Sequence, residues 1–305
     1  MKIVTNKSRI KSKFLEKEIV KDFKGITKNR SIKMGFLKKY AHTSLFVSKV
    51  TGKIIPSKIN STKKNLSIWN KRHEEKIYSS NSKYFLSRFS YTTSLVKDKL
   101  NKKNIKIADL GCGGAGLIKV LNKSYGLNNI LGFEYSKIMC KKNRKKFKNT
   151  KIKFINSNIE KINEKKFKNY FDIIFLTWTL GSSSKPDDLI KKTYKILKLN
   201  GLLVVAESSR ILVKPSVSIF WYLNNFDTFK SYPWRFSFNS LRNLLLLNNI
   251  NIIRSNNYRQ NNNLVVVGKK LKKIKYKNFR FDDYRKVINF FKTWIKISKS
   301  KNNNF

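Results

Sequence analysis

Cysteine and histidine are almost missing from this chain. Of 305 residues, two are Cys and two are His. Cys112 and Cys140 cannot build a disulfide framework or a Cys-based zinc site, no metal site is expected, and imidazole chemistry has only His42 and His73 to draw on. Long apolar runs are missing too. The start, Met1-Lys-Ile-Val-Thr-Asn-Lys-Ser-Arg, has no continuous apolar h-region, and no window approaches the roughly 18 uninterrupted apolar residues of a spanning helix. The expectation is a cytoplasmic protein without a transmembrane segment. Carboxylates are the third scarcity: 17 Asp and Glu stand against 68 Lys and Arg, a formal charge of +51. Such a field attracts nucleic acid, acidic glycans or anionic membrane surfaces. The surplus nevertheless runs the whole length of the chain beside abundant Asn and Ile, as AT-rich codon usage would produce. Only 12 of the 68 bases are Arg, whereas specific phosphate and base recognition favours the Arg fork. Compositional drift and a nucleic-acid footprint both stand as readings, and nonspecific nucleic-acid binding at low salt is expected.

What is present begins with residues 105–116, Ile-Lys-Ile-Ala-Asp-Leu-Gly-Cys-Gly-Gly-Ala-Gly. Ile105, Ile107 and Leu110 read as a buried strand, and Leu117-Ile-Lys-Val-Leu121 reads as a helix, so Gly111, Gly113 and Gly116 lie on a strand-to-helix turn. Glycines there permit a tight turn and close ligand approach, and the helix N-terminus offers free N–H groups. Asp109 decides which nucleotide cofactor suits the turn. A pyrophosphate beside its carboxylate would be repelled, whereas S-adenosylmethionine brings a sulfonium and an ammonium and no phosphate. Asn129-Ile-Leu-Gly-Phe-Glu134 reads as the next strand, and its terminal acid stands where a carboxylate accepts both ribose hydroxyls.

These motifs resemble the class I S-adenosylmethionine-dependent methyltransferases over roughly residues 65–270. Asp109 to Gly116 looks like that family's first motif and Glu134 like its ribose-binding acid. Ile152-Lys-Phe-Ile-Asn-Ser-Asn158-Ile159 is similar to the third strand, with Ser157-Asn158 where the family usually has Gly-Asp at the adenine. Phe171-Asp-Ile-Ile-Phe-Leu-Thr177-Trp178-Thr179-Leu180 resembles the fourth motif, and Leu197-Lys-Leu-Asn200-Gly201 through Glu207 the fifth strand and its turn. Asn200 stands where a second glycine is usual, and Asn tolerates positive φ. The resemblance implies a Rossmann-like, seven-stranded, mostly parallel sheet with helices on both faces and an antiparallel C-terminal strand pair. It also implies that Asp109, Gly111, Gly113, Gly116, Glu134, Asn158, Ile159 and Thr177 hold the cofactor.

Around this frame the chain divides into a basic N-terminal extension (1–64), the α/β domain (65–270) and a basic tail (271–305). The extension carries a possible hairpin at Ser44–Val50, turning at Thr51-Gly52 into Lys53-Ile-Ile. Residues 65–104 look helical and lid-like. From 105 to 207 strands and helices alternate, the signature of a parallel sheet covered on both faces. Residues 211–240 form an aromatic-rich insertion on the acceptor side. Ser237 can cap a helix over Leu241–Leu247, and Ile252–Tyr258 with Leu264–Val267 reads as an antiparallel pair. The tail holds an amphipathic helix from Asp282, with Tyr284, Val287, Ile288, Phe291 and Ile295 on one side. It can pack on its own domain or meet a membrane surface.

Methyl transfer is an in-line displacement that asks chiefly for alignment and exclusion of water. His73, beneath the expected lid, and Glu207, at the end of the fifth strand, are the candidate bases. His73 reads more readily as a solvent-exposed residue on a charged helix, because nothing in the sequence fixes its partner. Trp178, Tyr232, Trp234 and Arg235 are candidate acceptor contacts, each with core packing as the alternative. The fourth motif lacks the Asn/Asp-Pro-Pro-aromatic sequence of base amino-group methyltransferases, and neither Cys stands where a pyrimidine C5 nucleophile belongs. The run from Tyr232 to Lys269 looks like bacterial family members acting on small molecules and surface-polysaccharide sugars. The expectation is therefore an O-directed methyltransferase for a small-molecule or glycan-linked acceptor. RNA or protein methylation, and a non-catalytic scaffold, are the alternatives; the presence of Asp109 and Glu134 argues against the scaffold.

Overall fold

The computed structural model describes residues 6–26, 29–37, 44–57, 61–74, 82–102, 104–208, 211–215, 217–219, 222, 232–257, 263–275 and 277–300. His42 and, from the aromatic-rich insertion, Phe220, Trp221, Phe226 and Phe229 lie outside these residues.

Seven strands form one sheet in the order β6-β5-β4-β7-β8-β10-β9. They are β4 (Ile107–Leu110), β5 (Ile130–Glu134), β6 (Lys153–Asn156), β7 (Phe171–Thr177), β8 (Leu197–Glu207), β9 (Ile250–Ser255) and β10 (Leu264–Lys270). β4 is buried along its whole length and β7 at every position but Asp172, as a parallel sheet covered on both faces requires. β4 pairs in parallel with β5 and with β7, while β10 runs antiparallel to both β8 and β9. Strand order reverses between β4 and β7, and a crevice opens beyond their carboxyl ends.

α3 (Lys83–Ser94), the short α4 (Lys97–Leu100), α5 (Gly116–Tyr125) and α6 (Lys137–Lys146) cover one face of the sheet. α1 (Asn6–Lys24), α7 (Pro186–Ile196) and α8 (Phe238–Leu247) cover the other. Local sequence sets these helix boundaries. Ser82, Ser136 and Ser237 accept the free N–H groups of α3, α6 and α8. Pro186 opens α7, with Asp187 and Asp188 in its first turn. Gly126, at φ 65°, closes α5. Asn200 is left-handed at φ 61°, as a glycine stand-in should be. β9 begins two residues earlier than its apolar run suggested, and β6 ends at Asn156, so Ser157-Asn158 turns away from the sheet. There the Asn158 side chain caps a 3₁₀ turn over Ile159–Lys161.

The two ends of the chain meet. β2 (Leu45–Ser48) and β3 (Ile54–Pro56) form the hairpin, and β1 (Ser31–Lys33) adds a third strand that sequence patterning does not reveal. Their apolar side chains share one cluster with the tail helix α9 (Tyr284–Ser300), whose Val287, Phe291 and Trp294 are buried. Residues of the insertion complete the cluster: the Trp294 indole donates to the Val217 carbonyl at 2.8 Å, and the Ile219 N–H donates to the Ser298 hydroxyl at 2.8 Å. The amphipathic face of the tail thus packs on its own chain and is not presented to a membrane.

Gly52 stands where the two ends touch. Its φ is +68°, and a Cβ there would fall 2.2 Å from the Asp282 carbonyl oxygen. Gly52→Ala should therefore cost about 1–3 kcal/mol in backbone strain, plus the displaced contact. Urea unfolding should show a lower midpoint at an unchanged m-value, and an unchanged midpoint would mean that the hairpin is not held against α9.

Candidate functional site

The carboxyl ends of β4, β5, β6 and β7 floor a cleft that encloses about 970 Å³, part of it open to solvent. Its floor is Asp109, Gly111, Cys112, Gly113, Glu134, Asn158, Ile159 and Thr177. Its upper wall comes from Leu66 and Trp69 of α2 (Thr62–Glu74), Phe89 of α3, Trp178 and Tyr232. Seven of the eight sequence-derived cofactor residues therefore converge. Gly116 stands one step behind them as the first residue of α5.

The glycine turn is left-handed at Gly111, Gly113 and Ala115, with φ of 80°, 48° and 59°. At Gly111 a Cβ would fall 2.8 Å from the Thr179 side chain, so a side chain is excluded by strain and by space. The N–H groups of Gly111 and Cys112 donate to the Phe133 carbonyl at 2.8 and 3.0 Å, which folds the turn over the end of β5.

That fold brings Glu134 into use. One carboxylate oxygen accepts from the Gly113 N–H at 2.8 Å and the other from the Ser136 N–H at 2.8 Å. Burial raises the pKa of Glu134, and these N–H groups oppose the rise. The Tyr135 N–H opposes it as well. Asp109 is less well provided for. Its Oδ1 is buried without a hydrogen-bond partner among the described residues, and burial, with Glu134 adding repulsion, pushes its pKa up to about 8. Asn158 uses its side-chain oxygen to accept from the Glu160 N–H at 2.9 Å, so only its remaining lone pair is left to accept from an adenine amino group.

Trp178 follows β7 in a left-handed conformation, φ 53°, which is an outlier for so bulky a residue. Its ring lies edge-on to Phe85 and Phe89, with the Arg88 guanidinium 4.0 Å above it. The Tyr232 hydroxyl donates to its carbonyl. Beyond Trp178, residues 180–184 form a loop gripped from both sides. Glu160 accepts from the hydroxyls of Ser183 and Ser184, both at 2.8 Å. On the buried side Glu207 accepts from the Gly181 N–H at 3.1 Å.

Three expected contacts are thereby displaced from the cleft. Glu207 lies beneath the loop and not in the cavity, buried so fully that its pKa is pushed up to about 7. Trp234 is 1% exposed; its indole N–H donates to the Ser183 carbonyl at 2.9 Å, so it props the loop from behind. Arg235 is buried over the Tyr222 ring, where its charge favours ionised Glu207. Trp178 and Tyr232 do line the cleft. His73 falls in the last turn of α2. Sequence reasoning missed Trp69, Phe89, Glu160, Ser182 and Ser183, which line the cleft from helices and loops that carry no motif. The Ser182-Ser-Ser184 run after the fourth motif was the only available signal.

A methyltransferase-domain family matches residues 108–205, the stretch that builds the cleft floor. Residues 108–205 are a methyltransferase domain. A curated relative, the tRNA U34 carboxymethyltransferase of Helicobacter acinonychis (strain Sheeba), is 32% identical over 120 residues. These are 36% of this chain and 43% of the relative, so the chain spans less than half of that protein's length. The fold is shared with a Galdieria sulphuraria protein named as a sarcosine dimethylglycine methyltransferase, at TM-score 0.50 and 14% identity over 62% of this chain and 88% of that one. It is shared equally with a chain of the complex between the Haloferax volcanii Trm112 methyltransferase activator and a methyltransferase. That likeness has TM-score 0.50 and 13% identity over 70% of this chain and 99% of that one.

The methyltransferase floor fits S-adenosylmethionine, and the unpartnered Asp109 oxygen is what decides it. A buried carboxylate with no donor is costly, and a ligand cation removes the cost. Glu134 stands where its carboxylate could accept from ribose hydroxyls, and the left-handed turn leaves room for a ligand at the backbone. Because a cation favours ionised Asp109, binding at neutral pH should expel the proton that a pKa of about 8 retains. Affinity should therefore rise from about pH 6 toward pH 8, levelling as the ligand's own amine titrates. Calorimetry near neutral pH in two buffers of different ionisation enthalpy should detect the released proton, and Asp109→Asn should abolish the release. Without proton release in the parent protein, Asp109 does not face the cationic end of the ligand.

Proposed function

We propose that the chain transfers a methyl group from S-adenosylmethionine to an oxygen of a small-molecule or glycan-linked acceptor. The observation that carries this reading is the enclosure of the cleft. Trp69, Phe89, Trp178 and Tyr232 line it with aromatic side chains, and Ser182 and Ser183 line it beside them. Aromatic walls with a few hydroxyls suit the apolar face and polar rim of a sugar ring. S-adenosylmethionine, when bound, supplies an activated methyl on a sulfonium. The chain's part is then to orient and to exclude water. Asp109 and Glu134 hold the two ends of the cofactor, and the strained Trp178 shields the reacting side. Glu160 and Glu207 fix the 180–184 loop against which the acceptor rests.

A second reading, transfer to RNA, is favoured by the name of the curated relative, which acts on a tRNA uridine. Under the first reading RNA still binds, but weakly and without sequence preference, and affinity collapses as salt rises from about 50 to 200 mM.

One measurement tests the cofactor and a second separates the two acceptor readings. Calorimetry should show that S-adenosylmethionine binds and NADH does not, with Glu134→Ala weakening binding by about 1.5–3 kcal/mol through lost charge-assisted hydrogen bonds. Unchanged affinity in that variant would falsify the ribose role of Glu134. Methyl-labelled cofactor incubated with fractionated cell extract should place label in ribonuclease-resistant small molecules or glycans. Label confined to ribonuclease-sensitive material would instead establish the RNA reading.

A further inference from the structure

The bases on the two faces of the central sheet differ in whether carboxylates stand beside them. Between residues 110 and 159 there are eleven Lys and Arg and a single carboxylate, Glu134, which is buried in the cleft. Ten of the eleven bases are exposed, Lys119 alone being half-buried. They belong to α5, to α6 and to the strand and turns beside them. α5 and α6 are neighbours on the same sheet face, close enough that Lys119 and Lys123 both lower the pKa of Lys146, whose largest cause is burial. The opposite face is different. There Lys191 pairs with Asp187 and Asp188, Lys192 and Lys195 with Glu164, and Lys198 with Asp172.

The same side carries exposed apolar surface. Of the seven large hydrophobic side chains that stand exposed among the described residues, four lie there: Tyr84 and Tyr91 on α3, Tyr135 at the cleft rim and Ile138 in the first turn of α6. α3 packs beside α5, where the Tyr125 hydroxyl reaches that of Thr93 at 3.5 Å.

We propose that the face built by α3, α5 and α6 is a docking surface for an anionic phospholipid bilayer, with the mouth of the cleft at its margin. Ten of the eleven bases are Lys. Lysine is a compact point charge suited to a diffuse field of lipid phosphates, whereas base and phosphate recognition in RNA favours the Arg fork. Tyrosines partition to the headgroup level, and an aliphatic Ile138 can enter the acyl boundary but offers no plane for a base to stack on. Tyr135 belongs both to this face and to the cleft wall, so a lipid-linked glycan lying in the bilayer surface would meet the cleft edge-on. The inference rests on the glycan-linked reading only for what the surface delivers; docking needs neither cofactor nor acceptor, so it can fail or succeed independently of methyl transfer.

The test is sedimentation of the full chain with vesicles of phosphatidylcholine, with and without phosphatidylglycerol, at about 0.15 M salt. The protein should pellet only with the anionic vesicles. Lys119, Lys123, Lys142 and Lys146 changed together to Gln should lower partitioning about tenfold or more. Lys272, Lys273, Lys286 and Lys296 changed to Gln, the same loss of charge at exposed positions elsewhere, should leave it within about twofold. Ile138→Ser, which removes no charge, should reduce partitioning several-fold. Equal losses from both lysine sets would overturn the proposal in favour of a uniform basic coat. It is also overturned if Ile138→Ser changes nothing and a homopolymeric RNA binds through the same four lysines more tightly than the vesicles do.

Discussion

Two carboxylates at the ends of adjacent strands, both shut away from water, set the terms for the rest of the active edge. Glu134 is tolerable there because the backbone comes to it: the Gly113 and Ser136 N–H groups satisfy one oxygen each. Gly113 can reach Glu134 only because the turn after β4 is left-handed at three residues, and that turn is in place only because Gly111 and Cys112 bond the end of β5. The glycines are thus required by the acid as much as by the ligand. Asp109 has no such backbone partner for Oδ1, and it is the group left for a cation to complete. A fold that buries an unsatisfied carboxylate at a strand switch point stores binding energy for a positively charged ligand.

The acceptor edge depends on a different device. Lys53, on the turn leading into β3, is buried with its ammonium 4.2 Å from the centre of the Phe23 ring and 4.1 Å from that of Trp234. Burial drives its pKa down to about 7, against the pull of Asp22 and Asp187. A buried ammonium is held tightly only if its partners are held too, so α1, α7 and the hairpin become mutually fixed. Trp234 passes that fixity on, because its indole N–H grips the Ser183 carbonyl and its backbone N–H the Gly181 carbonyl at 3.1 Å. The N-terminal residues therefore reach the cleft through one side chain, and Glu207 closes the same loop from below.

The floor of the cleft was legible in the sequence because its chemistry is local. Asp109, Gly111, Gly113 and Glu134 announce themselves by position relative to strand ends, and Ser237 and Asn200 by the backbone conformations they favour. The walls were not legible. Trp69 and Phe89 come from helices whose patterning says which face is apolar but not what that face covers. Glu207, Trp234 and Arg235 were expected at the cavity because they follow strand ends or cluster with aromatics. In the fold one residue intervenes: Gly181 carries the loop across Glu207, and the loop takes the cavity position while the larger groups support it. The three-stranded sheet at the N-terminus was half visible, since β1 is three residues long and is defined by its pairing with β2 rather than by its own pattern.

Charge shows the same division between composition and fold. A lysine-rich composition in which bases recur everywhere reads as background, and the bases alone give no other answer. The information lies in the scarce partner. With so few carboxylates, where they fall decides which basic side chains are neutralised and which are not. Asp172, Asp187, Asp188 and Glu164 fall on and around α7, where lysines pair with them. The stretch from 110 to 159 spends its only acid on the cleft. A chain whose bases follow from composition can still acquire a one-sided field if its acids are placed by structural need. Glu134 is held at the cleft by two backbone N–H groups and Asp187 and Asp188 stand in the first turn of α7, so carboxylates gather beside the lysines of α7 more than beside those of α5 and α6.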